Sequence, residues 1–257
     1  MKKIIFLSAL AVCIIFLCAQ PKAEQINIEN NNHSVFKMQG LLYAVSGYHF
    51  SKLTDEKIID YKLYDIDSDR SDEILVITEG SDNKRYGEHL IIYDTEVKNE
   101  KIVSTEIYRH DFSDIKPWKV DACNLDNDGY IDVFIGVNKD TMFYKDVRNR
   151  PFFYSWNGEK LIKKWQGSYF SNWYLEDITF GDYFKSGHDY AAVLEKNKDN
   201  EYRIGIYSFA GFGFLNVAVY DANCKNAKNI MTVKGKSGDA VCLNCGIFNM
   251  NINLSNK

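Results

Sequence analysis

The chain has 257 residues, 46 % of them apolar and 26 % charged, a balance that excludes a disordered or collagen-like polymer. Lys and Arg number 31 against 35 Asp and Glu, net −4, so no basic excess is available to neutralise phosphates and no nucleic-acid partner is expected. Aromatics at 14 %, with 17 Tyr and 16 Phe, favour strands.

At the N-terminus Lys2 and Lys3 precede an apolar run from Ile4 to Cys18, and small residues surround Ala23. The run is short of the roughly 20 residues that span a bilayer, so the pattern predicts a signal peptide over 1–23. Cys18 follows Leu17 rather than a small residue, which argues against lipidation. The mature chain, 24–257, is then expected to be secreted or held in the cell envelope without a transmembrane anchor. Loss of Lys2, Lys3 and Lys22 leaves it with 28 basic against 35 acidic residues, net −7.

The next informative segment is an acidic loop that occurs twice. Asp65, Asp67, Asp69 and Glu73 stand at positions 1, 3, 5 and 9 of one copy; Asn124, Asp126, Asp128 and Asp132 hold the same positions 59 residues later. Each copy runs directly into an apolar β-type segment, Ile74–Ile77 and Val133–Ile135. Alternate residues of a tight loop can aim oxygens at one centre, and Ca²⁺ takes six to eight of them. Position 7, Ser71 or Tyr130, would add a backbone carbonyl, and Gly129 suits a sharp turn at position 6. These are not EF-hands, because Val76 and Ile135 stand where a bidentate Glu is required and the flanks are strand-like. Calcium is therefore expected in both loops, since uncompensated clustered carboxylates repel one another. Two weaker copies begin at Asp182 and Asp221. Phe184 and Lys225 occupy ligand positions there, so neither is expected to bind the ion.

A second signature alternates with the loops. Leu41-Leu42-Tyr43, Ile91-Ile92-Tyr93, Phe152-Phe153-Tyr154 and Gly205-Ile206-Tyr207 each open a hairpin pattern, three of them with Gly four residues after the Tyr (Gly47, Gly158, Gly211). Four rounds of loop pair and hairpin, about four short strands each, predict an all-β chain: a small β-propeller of four-stranded antiparallel sheets. Four blades are expected, with the first hairpin completing the last blade to close the ring; the strand-forming tail 241–254 makes five the alternative. At this point the chain resembles the FG-GAP/VCBS repeats of integrin-type β-propellers, on the loops at 65–73 and 124–132 and the strands they enter. The resemblance implies calcium held by those loop residues and a role in binding or recognition rather than catalysis.

The remaining candidates are less specific. Cys123, Cys224, Cys242 and Cys245 allow three disulfide connectivities, and Cys242-x-x-Cys245 is open to a structural disulfide, free thiols, half a zinc site or a redox pair. His33, His49, His89, His110 and His188 fit no zinc or triad pattern, and no nucleophile motif is present. A basic, aromatic stretch nominates Lys145, Arg148, Arg150, Trp156 and Trp173 as a surface for a protein or carbohydrate ligand, the alternative being that the tryptophans are blade core. The expected function is a calcium-stabilised, non-catalytic binding module; a carbohydrate-active hydrolase or lyase on the same scaffold is the alternative.

Overall fold

Residues with apolar side chains at consecutive positions, such as Ile74-Leu75-Val76-Ile77, can be satisfied in a strand only if both sheet faces are covered. The computed structural model, which describes residues 23–82, 85–236, 238–246 and 249–253, covers them by stacking sheets face to face. Apart from Ala23, the expected leader lies outside the described residues.

Five antiparallel sheets follow one another along the chain. The first contains β1 (Glu24–Ile28), β2 (Asn31–Met38), β3 (Leu41–Ser46) and β4 (His49–Lys52). The second contains β5 (Ile58–Tyr64), β6 (Glu73–Glu79), β7 (Gly87–Lys98) and β8 (Lys101–Asp111). The third has β9 (Pro117–Cys123), β10 (Asp132–Lys139), β11 (Arg148–Trp156) and β12 (Leu161–Gln166); the fourth has β13 (Tyr174–Gly181), β14 (Tyr190–Lys196), β15 (Tyr202–Phe209) and β16 (Phe214–Asp221). A three-stranded fifth sheet, β17 (Asn229–Val233), β18 (Ala240–Asn244) and β19 (Asn249–Asn253), continues the series. Every sheet pairs its strands in sequence order, so each is a meander. Among the described residues no helix is long and apolar enough to cross a membrane.

Four buried clusters separate consecutive sheets. Leu42, Ile74, Val76 and Ile91 pack between the first and second; Leu75, Ile77, Val133 and Ile135 between the second and third. Phe134, Phe153, Phe180 and Val193 fill the third interface, and Leu194, Ile204, Val241 and Leu243 the fourth. Alternate residues of β6 thus serve two different cores, at about 1.5–3 kcal/mol for each fully buried Ile, Leu or Val. Around the axis the first strands of the sheets line one channel, with a cavity of about 760 Å³. This is the architecture of a β-propeller: four full four-stranded blades and a shorter fifth sheet.

Two connections differ from the sequence reading. The hairpin at 41–52 does not complete the last blade, because β1 and β2 supply the inner strands of its own sheet. Glu29 and Asn30 join them, both with positive φ (50° and 66°), as a two-residue hairpin turn of matching twist requires. The segment that starts at Asp221 is not a fourth copy of the acidic loop. It links β16 to β17, and the loop equivalent to 65–73 in the fifth sheet lies between β17 and β18. Of the cysteines, Cys224 and Cys245 are bonded with Cα atoms 5.8 Å apart, and Cys123 and Cys242 are free and buried. The Cys242-x-x-Cys245 motif is therefore neither a redox pair nor a joint pair of ligands.

Candidate metal centre and central channel

The loop between β5 and β6 wraps its own carboxylates. Asp65 accepts hydrogen bonds from the amides of Ser68 (2.7 Å) and Arg70 (3.0 Å); Asp67 accepts from Asp69, and Asp69 from Ser71 (2.7 Å). Ser68 and Arg70 adopt positive φ to close the turn. Glu73, the first residue of β6, is 1 % exposed and accepts the Ile66 amide at 2.8 Å. Oxygens of Asp65, Asp67 and Glu73 all lie within 4.8 Å of one another. Burial, with Asp67, Asp69 and Asp65 adding repulsion, pushes the Glu73 carboxyl up to about 8, and burial also raises Asp67. Ser71 is buried and its hydroxyl accepts the Glu29 amide, tying the loop to the first sheet.

The loop between β9 and β10 has the same outline and a different centre. The ammonium of Lys164, reaching in from β12, stands 2.7 Å from Asp126, 3.2 Å from Asp128 and 3.0 Å from Asp132. Asp132 is fully buried, takes the Ser155 hydroxyl at 2.9 Å, and is still raised by burial despite that cation. Asn124 uses its amide side chain to close the turn on Asn127, and the Tyr130 ring is exposed while its amide donates to Asp128. In the third such loop Asp182 accepts the amides of Ser186 (2.8 Å) and Gly187 (2.9 Å), which hold its carboxyl below the ordinary value.

A recurrent aspartate missed in the sequence joins these loops across blades. Asp72, Asp189 and Asp239 each precede the second strand of a sheet and accept a backbone amide from the preceding sheet: Asn27 at 2.7 Å, Asn124 at 2.9 Å and Asp182 at 3.0 Å. Each returns its own N–H to the carbonyl of that partner residue. The third sheet has Ile131 at this position, packed instead against the core it shares with the second sheet.

Deeper in the channel the inner strands present charges that pair with the next sheet. Lys62 meets Asp121 at 2.6 Å and Lys119 meets Asp177, whereas Lys234, just past β17, meets Asp239 of its own sheet's loop at 2.7 Å. Asp60 and Asp177 also accept the amides of Val120 and Ile230, each at 2.9 Å and each in the following sheet. Burial pushes Asp60 up to about 6, with Asp121 and Asp177 reinforcing the shift and Lys119 opposing it. No histidine or cysteine lines this cavity among the described residues.

The proposed ligand surface comes apart. Arg150 is completely buried and donates to the carbonyls of Lys139, Asp146 and Ser168, so it organises the 140–147 loop from within. Trp156 is 3 % exposed and meets Tyr108 edge-on at 5.4 Å, in the core between the second and third sheets. Neither is available to a ligand; a guanidinium that satisfies several carbonyls and an indole that fills a blade interface are both taken. Arg148 pairs with Asp146 and lies over the Tyr174 ring at 4.8 Å. Trp173 is half-buried, with the guanidinium of Arg203 stacked 4.2 Å from its ring. Lys145 alone of the five is exposed, beside Met142 and Phe143, whose side chains are more than four-fifths exposed.

No family model matches the chain, and no curated protein matches it in sequence. Among solved structures it is similar to the Myceliophteria thermophila Cps50 (Swd1) β-propeller domain, with a TM-score of 0.50 and 11 % identity over 86 % of this chain and 64 % of that one. It is also similar to the Dos1 propeller, with a TM-score of 0.49 and 8 % identity over 82 % and 49 % of the two chains. The chain spans about half to two thirds of the length of these structures. At such identities the likeness shows the fold alone.

Proposed function

We propose that this β-propeller is an extracytoplasmic recognition module in which calcium fixes the loop between β5 and β6. The carrying observation is the convergence of Asp65, Asp67 and Glu73 within 4.8 Å around a buried carboxylate, with no ion pair to any of the three among the described residues. A hard cation with an appetite for six to eight oxygens offsets the burial, and the added repulsion, that lift Glu73, and Asp69 and the Ser71 carbonyl complete the donor set. The ion then acts as a structural clamp: it fixes the entry of β6, which packs against two sheets, and with it the Asp72 link to the first sheet. A protein or carbohydrate partner is met by loops at the ends of the strands, where a rigid scaffold presents variable side chains.

Calorimetric titration with calcium at neutral pH, beside thermal melts in calcium and in chelator, tests this reading. Saturable binding and a melt lowered by chelator support it; absence of both would reduce the loop to an acidic turn. One observation favours the enzymatic alternative: Asp60, poised near 6 in the channel, is placed to exchange a proton with a polar substrate. Turnover of oligosaccharides that disappears in Asp60→Asn would move the reading to that alternative.

A further inference from the structure

We infer that Lys164 is a built-in replacement for the metal ion in the third sheet, so that the chain takes calcium in one acidic loop and a lysine ammonium in the other. This rests on the calcium reading only for the 65–73 loop.

The inference comes from strand register. In the second, third and fourth sheets the outermost strand carries a bulge at the same place, opposite the Tyr that opens each hairpin pattern. Tyr93 faces Glu106 and Ile92 faces Tyr108, which leaves Ile107 as the extra residue. Tyr154 faces Lys163 and Phe153 faces Trp165, leaving Lys164; Tyr207 faces Asn216 and Ile206 faces Ala218, leaving Val217. A bulge re-aims the side chain of its extra residue. In the third sheet that residue is a lysine, and its ammonium reaches three carboxylates of the loop while its side chain is only 11 % exposed. In the second sheet the equivalent residue is an isoleucine, 44 % exposed, which brings no charge to Asp65, Asp67 and Glu73. In the fourth it is a valine, and there Asp182, at the first position of the loop, is satisfied by backbone amides instead. Three equivalent loops therefore meet the same electrostatic need in three ways, and one side chain at one bulge decides between two of them. A divalent ion and an ammonium cannot share the centre of the 124–132 loop, because like charges a few ångströms apart repel and the carboxylate oxygens face only one of them.

The test is calcium stoichiometry by calorimetry on the folded protein, comparing the wild type with Lys164→Met and Ile107→Lys. Lys164→Met should bind one more equivalent of calcium than the wild type, and Ile107→Lys one fewer. The increment for Lys164→Met carries the inference: an increment of zero, or a wild type that already holds two ions, overturns it. A wild type that binds none, with the increment intact, removes the reading of the 65–73 loop and leaves Lys164 as the internal cation. A second measurement needs no disturbance of Lys164. Asp126→Asn with Asp128→Asn should lower the melting temperature by the same amount in calcium and in chelator, since the partner lost is a lysine; a loss confined to calcium overturns the inference.

Discussion

Glu73→Gln is the substitution with the most informative sign. The carboxyl is 1 % exposed, and without a cation it is pushed from its ordinary 4.5 to about 8. A carboxyl whose folded value exceeds its unfolded one makes the folded state the better proton binder across that interval. In chelator, stability must then fall as pH rises from about 4.5 to 8 and level off above. At 1.36 kcal/mol per pH unit the full interval sets a ceiling near 5 kcal/mol, and solvent screening at the open side of the loop, where Asp67 and Asp69 are exposed, brings the expected loss to about 2–3 kcal/mol. Glutamine keeps an oxygen for the Ile66 amide and carries no charge, so in chelator at pH 8.5 the variant should exceed the wild type by about 2 kcal/mol. In calcium at a hundredfold its dissociation constant the wild type gains about 2.7 kcal/mol by mass action, and the order of the two proteins should reverse. Urea unfolding at pH 5.5, 7 and 8.5, in chelator and in calcium, reads both effects, and the difference between the proteins cancels other titrating groups. A variant less stable than the wild type in chelator at pH 8.5 would refute the claim that this carboxylate is buried without compensation.

Other expectations follow from single contacts. Cys224→Ser with Cys245→Ser opens a cross-link between residues 21 apart in sequence and should cost about 3 kcal/mol in denaturant unfolding, with the reduced wild type matching the variant. Asp60, raised to about 6, should make stability fall between pH 4 and 6; Asp60→Asn retains an acceptor for Val120 and should remove about 2 kcal/mol of that fall, whereas Asp60→Ala strands the amide and should cost about 1–2 kcal/mol at pH 7. Asp189→Ala removes the acceptor of the Asn124 amide between the third and fourth sheets and should cost about 1–2 kcal/mol in calcium and chelator alike, with faster amide exchange at Asn124.

The parts of the fold that were legible in the sequence are those written locally. Apolar runs such as Ile74–Ile77 and Val133–Ile135 announce strands covered on both faces, and the Tyr of each hairpin pattern marks the third strand of a blade. β1 and β2 were missed because Glu29–Ser34 is polar throughout and its turn uses Glu-Asn rather than a glycine pair. Arg150 and Trp156 read as a ligand surface because sequence gives residue type and not depth. The arginine's demand for acceptors is met by carbonyls of its own neighbouring loops, and the tryptophan lies on the face of β11 turned to the second sheet. The channel did leave a trace: Asp60 and Lys62, Lys119 and Asp121, and Asp177 and Thr179 put polar residues at alternate positions of inner strands, the period of one strand face. Lys164 left none, since its aim depends on a bulge that sequence spacing does not display.

The distribution of polar joints explains why loops at the strand ends matter to a propeller of this size. The first four sheets each share a buried apolar cluster with the sheet that follows, but among the described residues no such cluster joins the fifth sheet to the first. Across that seam the two sheets border the same channel, at Glu24 on one side and residues 228–234 on the other. Where the described residues form no apolar cluster between two sheets, other contacts must limit relative motion of the blades, and short hydrogen bonds to backbone amides suit that purpose because they fix direction as well as distance. Asp72, Asp189 and Asp239 supply three such joints at one end of the strands, and Asp60 and Asp177 two more within the channel. Each joint buries negative charge, and the charge has to be met where it gathers: by Lys62 and Lys119 in the channel, by Lys164 beside β10, and beside β6, where no lysine among the described residues pairs with Asp65, Asp67 or Glu73, by the cation we propose for that loop.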